Sequence, residues 1–276
     1  MRTLLAALLA ATAITPVLAA DLRPPAPAPV AHVAPVISWT GFYVGVNLGW
    51  IRQQGSVDIF GANADTQRVV DFAKSIGIPT SFNTDDDSLI GGAHAGFNYQ
   101  VHPYVVFGVE TDIEATGIKG HDRWDVPPSI RGLNAASSIT VDEKLTWLGT
   151  TRARLGFTPV PAVLLYGTGG VAYGAVKTTA ALRFPGIIQD FSASDDQTRV
   201  GWAAGAGFEY RFTPSWVAGI EWLHYDLGDK SFTKQVLQPN GKPFALGING
   251  SPAVAGIKSD ASGDIVRARA SYLFSF

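Results

Sequence analysis

From Ser38 onward the chain alternates apolar and polar positions in segments of about a dozen residues. Phe42, Val44, Val46, Leu48 and Trp50 share one parity, and Tyr43, Gly45, Asn47 and Gly49 the other. The last segment sets Val266, Ala268, Ala270, Tyr272, Phe274 and Phe276 against Arg267, Arg269, Ser271 and Ser275. A period of two belongs to a β-strand with unlike faces. Eight such segments are predicted, at 40–52, 87–101, 104–116, 143–157, 162–178, 197–212, 216–228 and 263–276. Three connections are tight: His102-Pro103, Thr158-Pro159-Val160-Pro161 and Thr213-Pro214-Ser215. Four are long: 53–86, 117–142, 179–196 and 229–262. Short and long turns alternate without exception, which is the layout of an up-and-down barrel whose short turns lie on the periplasmic side. The expected fold is all-β: an eight-stranded antiparallel up-and-down transmembrane β-barrel with a filled lumen. Closure leaves no free sheet edge, and an even strand count is expected to put both chain termini on the periplasmic side.

The faces follow from charge. Val105, Phe107, Val109 and Ile113 oppose Glu110, Asp112 and Glu114; Trp147, Ala153, Leu155 and Phe157 oppose Arg152 and Arg154. Val200, Trp202, Phe208 and Tyr210 oppose Glu209 and Arg211, and Ile220 and Trp222 oppose Glu221. Turning the charged set outward would place each Arg in hydrocarbon at roughly 2–4 kcal/mol near the midplane. The apolar set is therefore assigned to lipid and the charged set to the lumen. The expected lumen network joins Glu110, Asp112, Glu114, Glu209 and Glu221 to Arg152, Arg154, Arg211, Arg267 and Arg269, with Arg211 placed near Glu221. An eight-strand bore is only just wide enough for side chains, so the network is expected to plug the barrel; a gated, ion-conducting lumen is the alternative. Trp39, Phe42, Tyr104, Phe157, Phe212, Trp216, Phe274 and Phe276 are expected to form one aromatic belt, and Trp50, Trp147, Tyr173 and Tyr225 the other.

The N-terminus adds an export address. Arg2, the apolar run Leu4 to Ile14 and the small residues around Ala19 and Ala20 read as a secretory signal peptide over 1–20. Losing Arg2 with it takes the net charge from -2 to -3, a near-neutral balance that argues against nucleic acid. Residues 21–38 form a Pro/Ala-rich stub, expected to be extended on the periplasmic side, and 39–276 the barrel. There is no Cys, which removes disulfides and thiolate metal sites. No later stretch is long and apolar enough for a spanning helix.

The loops and motifs offer little chemistry. Asp65 to Ile76 is expected to form a short helix capped by Asp65, its apolar face either a docking surface or packed over the barrel mouth. Asp85-Asp86-Asp87 suits a divalent ion bridging lipopolysaccharide or a solvated charge run. His121 is a lone candidate haem ligand. Gly-x-Ser-x-Gly, P-loop and His-Glu-x-x-His patterns are absent from the sequence, so the chain is not read as an enzyme and no metal site is expected.

The run Trp39-Thr40-Gly41-Phe42-Tyr43-Val44-Gly45-Val46-Asn47-Leu48-Gly49 resembles the opening strand of the alphaproteobacterial outer-membrane β-barrel family, the Brucella-type surface antigens often labelled porin family proteins. Leu165-Tyr166-Gly167-Thr168-Gly169-Gly170-Val171-Ala172-Tyr173-Gly174, the stretch Gly219 to Gly228 and Phe276 resemble it too. The resemblance implies a structural protein of the bacterial outer membrane, contributing to envelope integrity and displayed as a surface antigen. It also implies insertion by the barrel-assembly machinery through a C-terminal signal of Tyr272, Phe274 and Phe276, with membrane lipid and lipopolysaccharide as partners. A narrow porin-like channel, or a surface receptor for haem or a host ligand, are the alternatives that it leaves open; no other cofactor is implied.

Overall fold

The computed structural model describes residues 38–128, 130, 132–246 and 250–275. The expected signal peptide, the Pro/Ala stub apart from Ser38, and Phe276 lie outside the described residues. In chain order the elements are β1 (Gly41–Gly61), α1 (Ala64–Ser75), β2 (Ser81–Asn83), β3 (Asp86–His102), β4 (Val105–Thr116), β5 (Lys119–Asp125), β6 (Ser138–Phe157), β7 (Val163–Arg183), β8 (Phe191–Arg211), β9 (Trp216–Gln235), β10 (Ala245–Leu246), β11 (Ser251–Pro252) and β12 (Val254–Ser275).

Eight strands close a ring in the order β12-β9-β8-β7-β6-β4-β3-β1, and β1 pairs back to β12 from Gly41 opposite Ser275 to Gly61 opposite Ala255. All neighbours are antiparallel. β2 carries the β3 stave onward along β1, and β5 carries the β4 stave onward along β6. No helix among the described residues is long and apolar enough to cross a membrane; this chain crosses with strands.

The staves run well past the predicted segments. β1 continues to Gly61 instead of stopping at Arg52, β9 to Gln235 instead of Gly228, and β12 starts at Val254 instead of Gly263. Much of each expected long loop is therefore sheet. The physical reason is an inversion in the sense of the alternation. Along β1 the outward residues change from Phe42, Val44, Val46, Leu48 and Trp50 to Arg52, Gln54 and Ser56, while the inward ones change from Tyr43 and Asn47 to Ile51 and Val57. Below Trp50 the outer wall meets hydrocarbon; above it the wall meets water and the apolar side chains turn inward, as in a soluble barrel.

The interior is layered. At the short-turn end Trp39, Tyr43, Val106, Leu164, Tyr166, Val217 and Leu273 pack together. The charged side chains come next. Above them lies an apolar septum to which every stave or its junction contributes: Ile51, Ile90, Ile118, Leu145 and Leu148, Val176, Ala203, Leu223 and Ile265. A second apolar layer, with Val57, Phe82, Ile139, Val141 and Ile257, lies at the long-loop end beneath α1.

Two belt assignments change. Trp39 and Tyr225 are buried inside, not outside. Both follow strand parity: Trp39 shares the inward parity of Tyr43, and Tyr225 that of Glu221. The Trp39 indole N–H donates to the Pro161 carbonyl at 3.0 Å and closes the short-turn end. Phe42, Tyr104, Phe157, Phe212, Trp216 and Phe274 are exposed on the outer wall at that end, and Trp50 at the other. The helix cap also differs: Asn63, not Asp65, accepts the Thr66 N–H at 2.9 Å, while Asp65 pairs with Arg68 at 2.7 Å.

Candidate functional site: the luminal charge network

β4 presents Glu110, Asp112 and Glu114 inward because alternate residues of a strand share a face. The register then sets Glu110 opposite Arg152 of β6 and Gly108 opposite Arg154. Arg152 donates from Nη2 to Glu110 and to Asp112, each at 2.8 Å, from Nη1 to Glu221 at 3.0 Å, and from Nε to Thr150 at 2.8 Å. Arg154 reaches Glu209 at 2.8 Å and Glu110 at 3.2 Å, with its guanidinium 3.8 Å from the Tyr166 ring centre. From β12, Arg267 binds Glu221 through Nε at 2.7 Å, Asp112 at 2.8 Å, and Glu114. Arg269 bridges Glu221 at 3.0 Å and Glu110.

Two tyrosines tie into the same net. Tyr43 donates to Glu110 at 2.7 Å and accepts from Arg154 at 2.8 Å; Tyr166 donates to Glu221 at 3.0 Å and accepts from Arg269 at 2.9 Å. Each tyrosine lies over a cross-strand glycine, Gly96 for Tyr43 and Gly207 for Tyr166, where any Cβ would collide with the phenol. Those glycines give the rings the room to lie along the wall and aim their hydroxyls at the carboxylates.

The five acids and four arginines so joined have side chains at most 5% exposed. Charges this deep persist only when paired and hydrogen-bonded. The fifth expected base sits elsewhere. Arg211 lies opposite Val217, not near Glu221, and its guanidinium binds the Ser38 and Pro214 carbonyls at the short-turn end. Of the expected assembly signal, Tyr272 and Phe274 are exposed on the outer wall, with Tyr272 packed edge-on to Trp216 at 5.4 Å and to Phe274 at 4.8 Å.

A second polar tier, absent from the sequence reading, stands above the septum. Glu143 accepts from Gln53 at 2.7 Å and from Ser259, and Arg199 donates to the Ser259 hydroxyl at 3.0 Å and to Thr178 at 3.2 Å. Burial pushes the Glu143 carboxyl up from its ordinary range. Simple parity from Trp147 and Ala153 would have put Glu143 outside. A register shift between Leu145 and Trp147 turns it inward, and a bulge of one residue exchanges the faces. His94 is likewise luminal, bonded to Ser271 at 2.8 Å; its even number beside Gly92 and Gly96 was the available signal.

The loop candidates separate. Asp85 accepts from the Gly55 N–H, Asp86 from the Lys119 N–H, and Asp87 pairs with Arg52 at 3.0 Å; three different partners hold the three carboxylates. His121 pairs with Asp142 at 2.7 Å on exposed wall between β5 and β6. The chemistry of the charge network is ion pairing of five acids with four arginines across the bore.

Residues 5–249 match the family described as outer membrane protein beta-barrel domain. The chain is 32% identical to the 31 kDa outer-membrane immunogenic protein of Brucella melitensis, over 84% of this chain and 89% of that one. It is 30% identical to the 25 kDa outer-membrane immunogenic protein of Brucella abortus, again over 84% and 89%. Against the crystal structure of the outer membrane protein OprG from Pseudomonas aeruginosa the TM-score is 0.44 at 15% identity, covering 86% of this chain and 97% of that one.

Proposed function

The chain belongs to the outer membrane β-barrel family and resides in the bacterial outer membrane, and on that premise we propose that it is a closed structural barrel that contributes to envelope integrity and displays its long-loop end at the cell surface. The observation that carries this reading is the filled lumen. The buried charge network and the apolar septum lie in series, and side chains from every stave meet in the septum. A bore blocked first by salt bridges and then by a dry apolar layer gives a hydrated ion no path, which disfavours the narrow-channel reading. The haem-receptor reading finds no support in His121, whose ring is engaged with Asp142 on the outer wall. The same reading takes residues 1–20 as a cleaved export signal and 21–38 as a periplasmic stub. It gives Tyr272, Phe274 and Phe276 to recognition by the assembly machinery, lipopolysaccharide to the outer wall, and no catalytic role to the chain.

The test is a strain lacking the protein. Its sensitivity to bile-type detergents and large hydrophobic antibiotics is expected to rise, and to return to normal with the wild-type chain. Antibody against the long-loop end is expected to label intact complemented cells. A deletion strain indistinguishable from its parent in these assays overturns the envelope role.

A further inference from the structure

A cavity of about 400 Å³ opens at the long-loop end under α1. Its walls include Phe72 and Ile76 of α1, Ile139 of β6, Leu182 of β7, Val236 and Ala255, and Thr66 and Thr80 are the only hydroxyl-bearing residues among the described lining. Among the described residues no charged side chain and no His, Cys, Met or Tyr lines it. Its size lies within the usual range for small-molecule sites, which are concave and mostly apolar, and an apolar cavity stays dry and accepts apolar guests.

The helix shows that the space is unfilled. Elsewhere above the membrane band the apolar side chains turn inward and pack, as Val57, Val141 and Ile257 do. Val69, Phe72 and Ile76 of α1 line the cavity yet remain 45%, 64% and 40% exposed. Beside the cavity a shallower pocket shares Ile78, Pro79 and Thr80 with it and contains Lys74. The Lys74 ammonium has no ion pair among the described residues. An apolar chamber with Lys74, unpaired among the described residues, at its margin matches a linear amphiphile carrying a single negative head.

We propose that this cavity binds the alkyl chain of a free fatty acid, with the carboxylate beside Lys74. The volume corresponds to roughly a dozen water-sized groups at about 30 Å³ each, which suits the greater part of one chain and not the several chains of a membrane lipid. The outer wall around the cavity is polar from Arg52 upward, so a lipid in the bilayer has no lateral entry; the guest arrives from the aqueous side. This site is independent of the lumen and its failure would leave the structural role standing.

The full barrel in lipid nanodiscs, titrated with the fluorescent polyene cis-parinaric acid against empty discs, is the test. Saturable one-to-one binding is expected, displaced by oleate. Ala73→Trp, which fills the chamber, and Val69→Asp, which charges its wall, are each expected to weaken binding at least tenfold while the barrel keeps its heat-modifiable gel mobility. Lys74→Glu is expected to weaken competition by oleate severalfold and leave competition by oleyl alcohol unchanged. Fluorescence equal to that of empty discs, or folded Ala73→Trp and Val69→Asp proteins that bind like the wild type, overturns the site. Competition by lipopolysaccharide as strong as that by oleate overturns the free-acid assignment.

Discussion

Arg152 on β6 and Glu221 on β9 meet across the lumen, Nη1 to Oε1 at 3.0 Å, although β7 and β8 lie between them around the wall. Arg267 and Arg269 of β12 converge on the same carboxylate. With Tyr166 of β7 also donating to it, one acid ties four staves together through the interior, independently of the backbone ladder. Glu221→Gln withdraws the carboxylate that three buried guanidiniums share, leaving each with its remaining acids only. A loss of about 3–5 kcal/mol in unfolding free energy is expected, the scale for breaking a buried pair from one side, measured by urea unfolding in lipid vesicles. A change below about 0.5 kcal/mol, the range of ordinary surface substitutions, would remove the network from the account.

Gly207 and Tyr166 form a second test. A side chain at Gly207 meets the Tyr166 ring, so Gly207→Val is expected to cost about 1–3 kcal/mol by overpacking. In a Tyr166→Ala background the same change is expected to cost clearly less, because the ring it strikes is gone. Equal costs in both backgrounds, by the same unfolding assay, would mean that the glycine is there for another reason.

The inversion along β1 predicts opposite outcomes for one substitution at two outward positions. Val46→Arg, midway between the outward Phe42 and Trp50, puts a cation into hydrocarbon near the midplane and is expected to cost about 2–4 kcal/mol. Gln54→Arg, on the exposed wall above the band, is expected to be near neutral. Similar costs at the two sites would place the membrane boundary elsewhere.

Glu143 supplies a pH dependence. Its raised pKa means that the folded protein holds this proton to higher pH than the unfolded chain does. Stability from this group is therefore full below the ordinary carboxylate range and declines as pH rises through the raised value. Wild-type melting temperature is expected to fall as pH rises above the ordinary carboxylate range, and Glu143→Gln, which can still accept from Gln53, is expected to flatten that fall. Parallel profiles for the two proteins would exclude Glu143 as the source.

The barrel is legible in the sequence because a lipid-facing strand must alternate and a short turn must follow a long one. Leu48 and Arg267 declare their faces by type alone. The upper half of each stave is hidden by the same rule: beyond Trp50 period two persists with its sense reversed, so a search for apolar-outward segments stops at the membrane edge. Glu143 is hidden by a bulge that exchanges parity within β6. Arg211 shows the limit of type without position, since its charge fits a luminal network but its register, opposite Val217, delivers it to the short-turn carbonyls. Partners such as Arg152 and Glu221 come from strands that are not neighbours, and only closure of the ring brings them together.

The central claim is a barrel shut by the network and the septum, and single-protein conductance in a planar bilayer tests it most directly. Purified wild-type protein is expected to give no reproducible unitary current. Leu145→Ser combined with Leu148→Ser and Arg152→Ala is expected to give discrete steps, as both barriers are breached. Unitary steps of constant size from the wild type itself would contradict the account.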